Sequence, residues 1–380
     1  VAAVAFGLHA AALRTHPPSP AEVELLQQAA GLGDGAWRVF FQVAGERWLQ
    51  PIPVYLTAFA GLIFPAELSG RYAAAAVGAI DIGLMFILAR RVFVHRLAPY
   101  GAALLLLATP AHLVYARLGT DAIHVLPFVL VWLIGLAGYL RDGRSASLVA
   151  AAFALGAGVY TQPTAPLTMT FLLAVTLAAL GASGRVSVRS AGLSVTAFAI
   201  PWLLAAAWFA ANPESYADTF GRWVIHAAHL RFPLDAVSAF LNWTTLGTRV
   251  SLYWGFFDPS WLFFDGPAAA TALRGRAPFL LAMIVLLVPG VRWGFTQTTA
   301  GLKVLLVGGL VVSPLAASTF GEPHAMQSAM AVVPLVTLLA TAGAASALSH
   351  SRRSWRAVAW VAMAACAADF ARFYLFTTAG

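Results

Sequence analysis

Charge is scarce in this chain. Only 10% of its 380 residues are Asp, Glu, Lys or Arg, with one lysine, Lys303, and one cysteine, Cys366. Soluble domains carry about 25% charged and about 45–50% apolar residues. Here 60% are hydrophobic and the mean hydropathy is +0.79, which excludes an ordinary soluble domain. A single cysteine excludes an intrachain disulfide and a cysteine-based metal site. There is no P-loop, no G-x-G-x-x-G between a strand and a helix, and no H-E-x-x-H, so no nucleotide or zinc-protease signature is present. Fixed-period repeats and low-complexity tracts are also missing, apart from a richness in alanine.

What is there instead is a succession of apolar runs. Each is roughly 17–25 residues long, enough to cross a ~30 Å hydrocarbon core. The runs do not alternate polar and apolar, so they predict helices and not barrel strands. The expected fold class is therefore all-α, a polytopic transmembrane helical bundle. About eleven spans are expected, at 1–13, 71–89, 99–116, 122–139, 145–160, 166–182, 190–210, 277–291, 302–318, 328–347 and 355–374. The first is too short to cross and reads as the end of a helix that begins before this sequence. A further C-terminal domain after "YLFTTAG" is left open.

The net charge of +8 does not point to nucleic acid, because the arginines are scattered at the ends of apolar runs. They set topology instead. With these spans, one side carries 12 Lys and Arg (in "RRVFVHR", "RDGR", "GRVSVR", "VRWGF" and "SRRSWR", with Lys303) against one acid, Asp142. The other side carries 10 arginines and 12 acids. The basic side is expected in the cytoplasm. "PIPVYLTAFAGLIF" (51–64) is too short to span and would invert this pattern, so it is expected to lie at the interface. The single expected domain, 1–380, then has two large outward loops, about 14–70 and about 211–276, both with interfacial helices. The second holds Trp223, Trp243, Trp254 and Trp261, with Trp208 nearby, a composition suited to the headgroup region.

Candidate chemistry gathers on the outward side. "SPAE" (19–22) is a capping-box signature, with Ser19 capping a helix and Glu22 returning the bond. Glu22 and Glu24 point about 200° apart on a helix, so at most one can face a substrate. Arg117 and Asp121 stand where one span ends and the next begins, and an acid at a helix start is favoured by the macrodipole alone. Glu322 and His324 lie at another outer mouth. Asp81 and Asp369 fall within spans, where acids face a bundle interior. A reaction on this side has no access to cytoplasmic nucleotide sugars, so an activated substrate arrives on a lipid.

The order of these features resembles the GT-C glycosyltransferases, and most nearly the family 39 group of protein O-mannosyltransferases and lipid A aminoarabinose transferases. The likeness is carried by "RVFFQVAGERWLQPIPVYL" (38–56), residues 89–128, "GVYTQPTAP" (158–166), "FFDPSWLFFDGP" (256–267) and "PHAMQSAMAVVP" (323–334). It implies transfer of a sugar from a polyprenyl-phosphate donor to an acceptor hydroxyl on a lipid, glycan or protein. The setting implied is a bacterial inner membrane, active face outward. In that family the first outer loop opens with an Asp-Glu pair, the Asp as base. Ala21 and Glu22 fall on those positions, and Gln50 and Gln327 fall where the family has Glu and Arg.

The resemblance thus implies Glu22, Glu24 or Asp121 as the catalytic carboxylate. It implies Arg47, Gln50, Arg117, Tyr160, Asp258 and Arg274 (or its neighbour Arg276) around the lipid phosphate or substrate. It also implies a divalent cation (Mg, Mn or Zn) on Glu22 and His324. The rivals are a non-catalytic polyprenyl-lipid or glycan-binding homologue, favoured by Ala21, and a secondary transporter. Transporters show internal repeats and broken helices, which the sequence does not.

Overall fold

The computed structural model describes all residues except 12, 14–16, 36–37, 44–47, 214, 216–242, 265–272, 274–275, 320–322 and 379–380, and except the side chains of 243–245 and 376–378. Arg47, Arg274, Glu322, Trp223 and the greater part of the second outer loop lie outside the described residues.

The protein is a helical membrane bundle. Its helices are α1 (Ala2–Ala10), α2 (Pro20–Gly31), α3 (Pro51–Gly61), α4 (Ser69–Val92), α5 (Ala98–Ala108), α6 (Pro110–Tyr115), α7 (Leu126–Asp142), α8 (Ser145–Gly158), α9 (Ala165–Ala182) and α10 (Val188–Ala211). There follow α11 (Trp243–Gly255), α12 (Pro259–Phe263), α13 (Met283–Thr296), α14 (Ala300–Val312), α15 (Leu315–Thr319), α16 (Val332–Leu348) and α17 (Arg353–Thr378). Two short antiparallel strands, β1 (Phe41–Gln42) and β2 (Trp48–Leu49), pair Phe41 with Leu49 and Gln42 with Trp48.

Among the described residues, six stretches are long and apolar enough to cross a membrane: 66–92, 122–142, 165–182, 188–211, 300–319 and 353–375. The expected spans at 145–160, 277–291 and 328–347 appear as the shorter apolar helices α8, α13 and α16. The expected span 99–116 is two helices. Thr109 is extended, with ψ 121°, because the residue before a proline is disfavoured in the α region. Pro110 then starts α6, and the Ala111 amide, lacking a helical acceptor, donates to the Pro278 carbonyl at 3.1 Å. Helix α3 has 11 residues, about 16 Å of length, so it does not cross. Leu62 and Ile63 beyond it are exposed.

The centre of the bundle is α16, whose residues are nearly all buried. Helix α13 crosses it at glycines. A Cβ on Gly290 would lie 1.9 Å from the Leu339 carbonyl oxygen, and one on Gly343 would lie 1.8 Å from that of Leu286. Only glycine permits that approach. Helices α10 and α17 are peripheral, with 22% of their apolar windows buried, and present Leu203, Leu204 and Val361 outward. Asp81 faces the interior as expected. It lies 3.6 Å from His112 Nε2, and the His112 ring packs on His9 with centroids 5.4 Å apart.

Candidate functional site

The capping box expected at the start of α2 is present. The Glu22 amide donates to Ser19 Oγ at 3.3 Å, and the Ser19 amide donates to Glu22 Oε2 at 2.7 Å. Glu22 does more than cap. Arg71, in the first turn of α4, donates from Nε to Oε1 at 2.8 Å and from Nη2 to Oε2 at 3.2 Å. The Gly119 amide donates to Oε1 at 2.9 Å. Arg71 also donates to the carbonyls of Leu13 and Pro17.

Glu22 is 3% exposed and Arg71 7%, so this is a buried ion pair with its hydrogen-bonding capacity filled. A carboxylate offers about four lone-pair sites, and four N–H groups occupy them. Burial pushes the Glu22 carboxyl up, but the bonds from Arg71, Ser19 and Gly119 outweigh it and hold the group below its ordinary range. The pair fastens α2, α4, the chain after α1 at Leu13 and Pro17, and the 116–121 turn together. Sequence reasoning missed Arg71. The available signal was a lone cation at the first residue of an apolar run.

The expected cation site finds no fit in the described residues. Glu22 has no oxygen lone pair left to give, and it makes no contact with His324. His324 stacks on Trp261, with centroids 4.9 Å apart, at the edge of α12. Its backbone φ is 57°. No group of three or more His, Cys, Asp and Glu among the described residues could hold a metal ion. No chemical step is therefore routed through a metal.

Asp258 caps α12, accepting the Ser260 amide at 2.9 Å. Tyr160 is buried and bridges two backbone groups of α10. Its hydroxyl donates to the Pro201 carbonyl at 2.5 Å and accepts the Ala205 amide at 2.9 Å, standing inside the i to i+4 bond that a regular helix would make there. Arg117 is half-buried, donates to the Ala11 carbonyl at 2.6 Å and lies over the Tyr374 ring. Gln50 is 3% exposed, and its Oε1 has no partner among the described residues. Glu24 and Asp121 are half-buried. Arg276 lies over Phe373, 4.9 Å from the ring centroid.

These groups share one end of the bundle. An aromatic wall runs through it: Phe40 packs on Tyr160, Trp208 and Phe209, and Trp48 on Trp208. Tyr115 donates to Gln327 at 3.2 Å across the same end. Arg249 on α11, which the sequence did not single out, is 6% exposed, a buried cation in the long stretch between α10 and α13.

The fold matches solved structures. ArnT from Cupriavidus metallidurans bound to undecaprenyl phosphate superposes with a TM-score of 0.58 at 20% identity, over 97% of this chain and 62% of that one. The apo state of the same protein gives 0.57 at 19%, over 94% and 60%. The chain shares the fold of these ArnT structures. It spans about three-fifths of their length. No protein-family profile and no curated protein matches the sequence. The resemblance stated from motifs and the architecture of the multi-pass bundle therefore agree.

Proposed function

We propose that the protein is a membrane glycosyltransferase that moves a sugar from a polyprenyl-phosphate donor to an acceptor hydroxyl at the outer end of the bundle. The observation that carries this reading is the fold shared over 97% of the chain with a protein whose structure holds undecaprenyl phosphate. The setting is a bacterial inner membrane with this end outward. In the reaction the acceptor oxygen bonds to the anomeric carbon as the bond to the phosphate oxygen breaks. The acceptor proton goes to a carboxylate, and polyprenyl phosphate leaves. With Glu22 held by Arg71, Glu24 or Asp121 is the base. Arg117 and Arg249, both cations withdrawn from water, are matched to a phosphate.

One observation favours a second reading. Ala21 stands where the resemblance places the family's base, and the neighbouring Glu22 is committed to an ion pair, as suits a homologue that binds the lipid without transferring sugar. Purified protein in liposomes, supplied with polyprenyl-phosphate sugars, separates the two. Release of polyprenyl phosphate with sugar on an acceptor supports the enzyme. Saturable lipid binding without release supports the binding protein. Neither binding nor release refutes both.

A further inference from the structure

The opposite end of the bundle carries a second candidate site. A shallow apolar groove runs between α5, α16 and α17, lined among others by Leu97, Gly101, Leu105, Leu348, Trp360 and Met363. It is open on one side: Leu97 is 52% exposed and Trp360 55%. Its mouth is basic. Arg96 adjoins Leu97, and Arg352 lies four residues beyond Leu348.

Helix α17 supplies the geometry. Positions 353, 356, 360 and 363 follow the i, i+3, i+7, i+10 spacing of one helical face. That face therefore begins with two arginines, Arg353 and Arg356, and continues with the groove residues Trp360 and Met363. Arg96, Arg352, Arg353 and Arg356 are exposed. None has an ion pair among the described residues, and the one acid of the basic loops, Asp142, is bound by Arg141 at 2.8 Å. An exposed cation pair at the end of an apolar slot on a lipid-facing helix matches one occupant by charge and by order: phosphate first, hydrocarbon after.

We propose that this groove binds an anionic phospholipid, with the headgroup phosphate on Arg353 and Arg356 and an acyl chain along Trp360 and Met363. The slot lined by Gly101, Leu105 and Met363 holds the first stretch of chain, and the indole of Trp360 sits at its open side. The site is independent of the sugar-transfer reading, because it uses the other end of the molecule.

Brominated acyl chains quench a tryptophan they touch, which gives a local readout. The protein is placed in phosphatidylcholine vesicles containing brominated phosphatidylglycerol or, at equal mole fraction, brominated phosphatidylcholine. The signal of Trp360 is taken as the difference between wild type and Trp360→Phe. The phosphatidylglycerol should occupy the site on the order of ten-fold more strongly, from two arginines near the surface. The preference should vanish in the double variant R353Q/R356Q and collapse in wild type at high salt. It should persist in R144Q/R189Q, which removes exposed charge elsewhere on the same side. Equal quenching by the two lipids in wild type, meaning ordinary annular contact only, would overturn the proposal. So would a preference that survives R353Q/R356Q or high salt.

Discussion

Gly119 lies against Gly70 at the start of α4, so close that a Cβ on Gly119 would sit 3.0 Å from the Gly70 carbonyl carbon and 3.1 Å from the Arg71 amide nitrogen. This contact is what brings the Gly119 amide to the Glu22 carboxylate. The two glycines are not equivalent. A Cβ on Gly70 would meet Gly119 Cα at 3.4 Å, a contact that a small shift relieves. Gly119→Ala is expected to destabilise by about 1–3 kcal/mol through overpacking against backbone. Gly70→Ala lies in a helix and is expected near neutral, since alanine is favoured there by about 0.5–1 kcal/mol. Thermal unfolding in detergent checks both, and equal losses would mean that the close approach is not what matters.

The Glu22 pair makes a sharper contrast. Glu22→Gln keeps the capping box, because glutamine also returns the bond to the cap. It leaves Arg71 buried without its anion, which costs about 3–5 kcal/mol. Ser19→Ala removes only the cap, about 1 kcal/mol. A larger effect of Ser19→Ala than of Glu22→Gln would show that Arg71 is not the main partner.

The pH dependence follows with its sign. The folded Glu22 carboxyl titrates below its unfolded value, so its contribution is full above that unfolded value and is lost as pH falls through the folded one. Wild type should lose stability on acidification through that window. Glu22→Gln should be flatter there, as measured by unfolding at a series of pH values.

The bundle was legible in the sequence because apolar run length and arginine placement are local signals. The capping box at Ser19 and Glu22 was legible for the same reason. Arg71 was not: its pairing with Glu22 joins positions 49 residues apart, and nothing local to either states it. The break at Thr109 was written in Pro110, yet the apolar run continued through it and hid the boundary. Tyr160 was noticed as part of a familiar stretch, but its partners on α10 come from packing and from Pro201.

Tyr160→Phe tests the bridge to α10. Without the hydroxyl, the Pro201 carbonyl and the Ala205 amide lose their bridge in a buried place, a loss of about 1–3 kcal/mol. Hydrogen exchange at Ala205 should quicken locally, while α8 amides remain protected. Unchanged exchange would mean that α10 closes its own bond once the hydroxyl is gone.

Topology is tested by single cysteines in a Cys366→Ala background, since Cys366 is buried in α17. Cysteines at Arg96 and Arg352 should label from one side of the membrane. A cysteine at Phe59, which is 63% exposed on α3, should label from the other. Labelling of Arg96 and Arg352 from opposite sides would break the span assignment between them, because an even number of crossings must separate them.

The last prediction concerns which carboxylate takes the acceptor proton. Glu22 is filled by four donors, so a base role would first require breaking the Arg71 pair. Glu24 is on the same helix but about 200° round, and Asp121 is two residues beyond Gly119, at the turn that Glu22 fixes. Replacing a general base lowers turnover by about 10²–10⁴-fold while substrate binding is kept. One of Glu24→Gln and Asp121→Asn should therefore abolish release of polyprenyl phosphate and leave lipid affinity unchanged, and the other should do neither. Glu22→Gln should lower turnover only in proportion to the folded protein lost, so that activity per folded molecule is preserved. If Glu22→Gln removes turnover per folded molecule while Glu24→Gln and Asp121→Asn leave it intact, the carboxylate held by Arg71 is the base and the assignment to its neighbours falls.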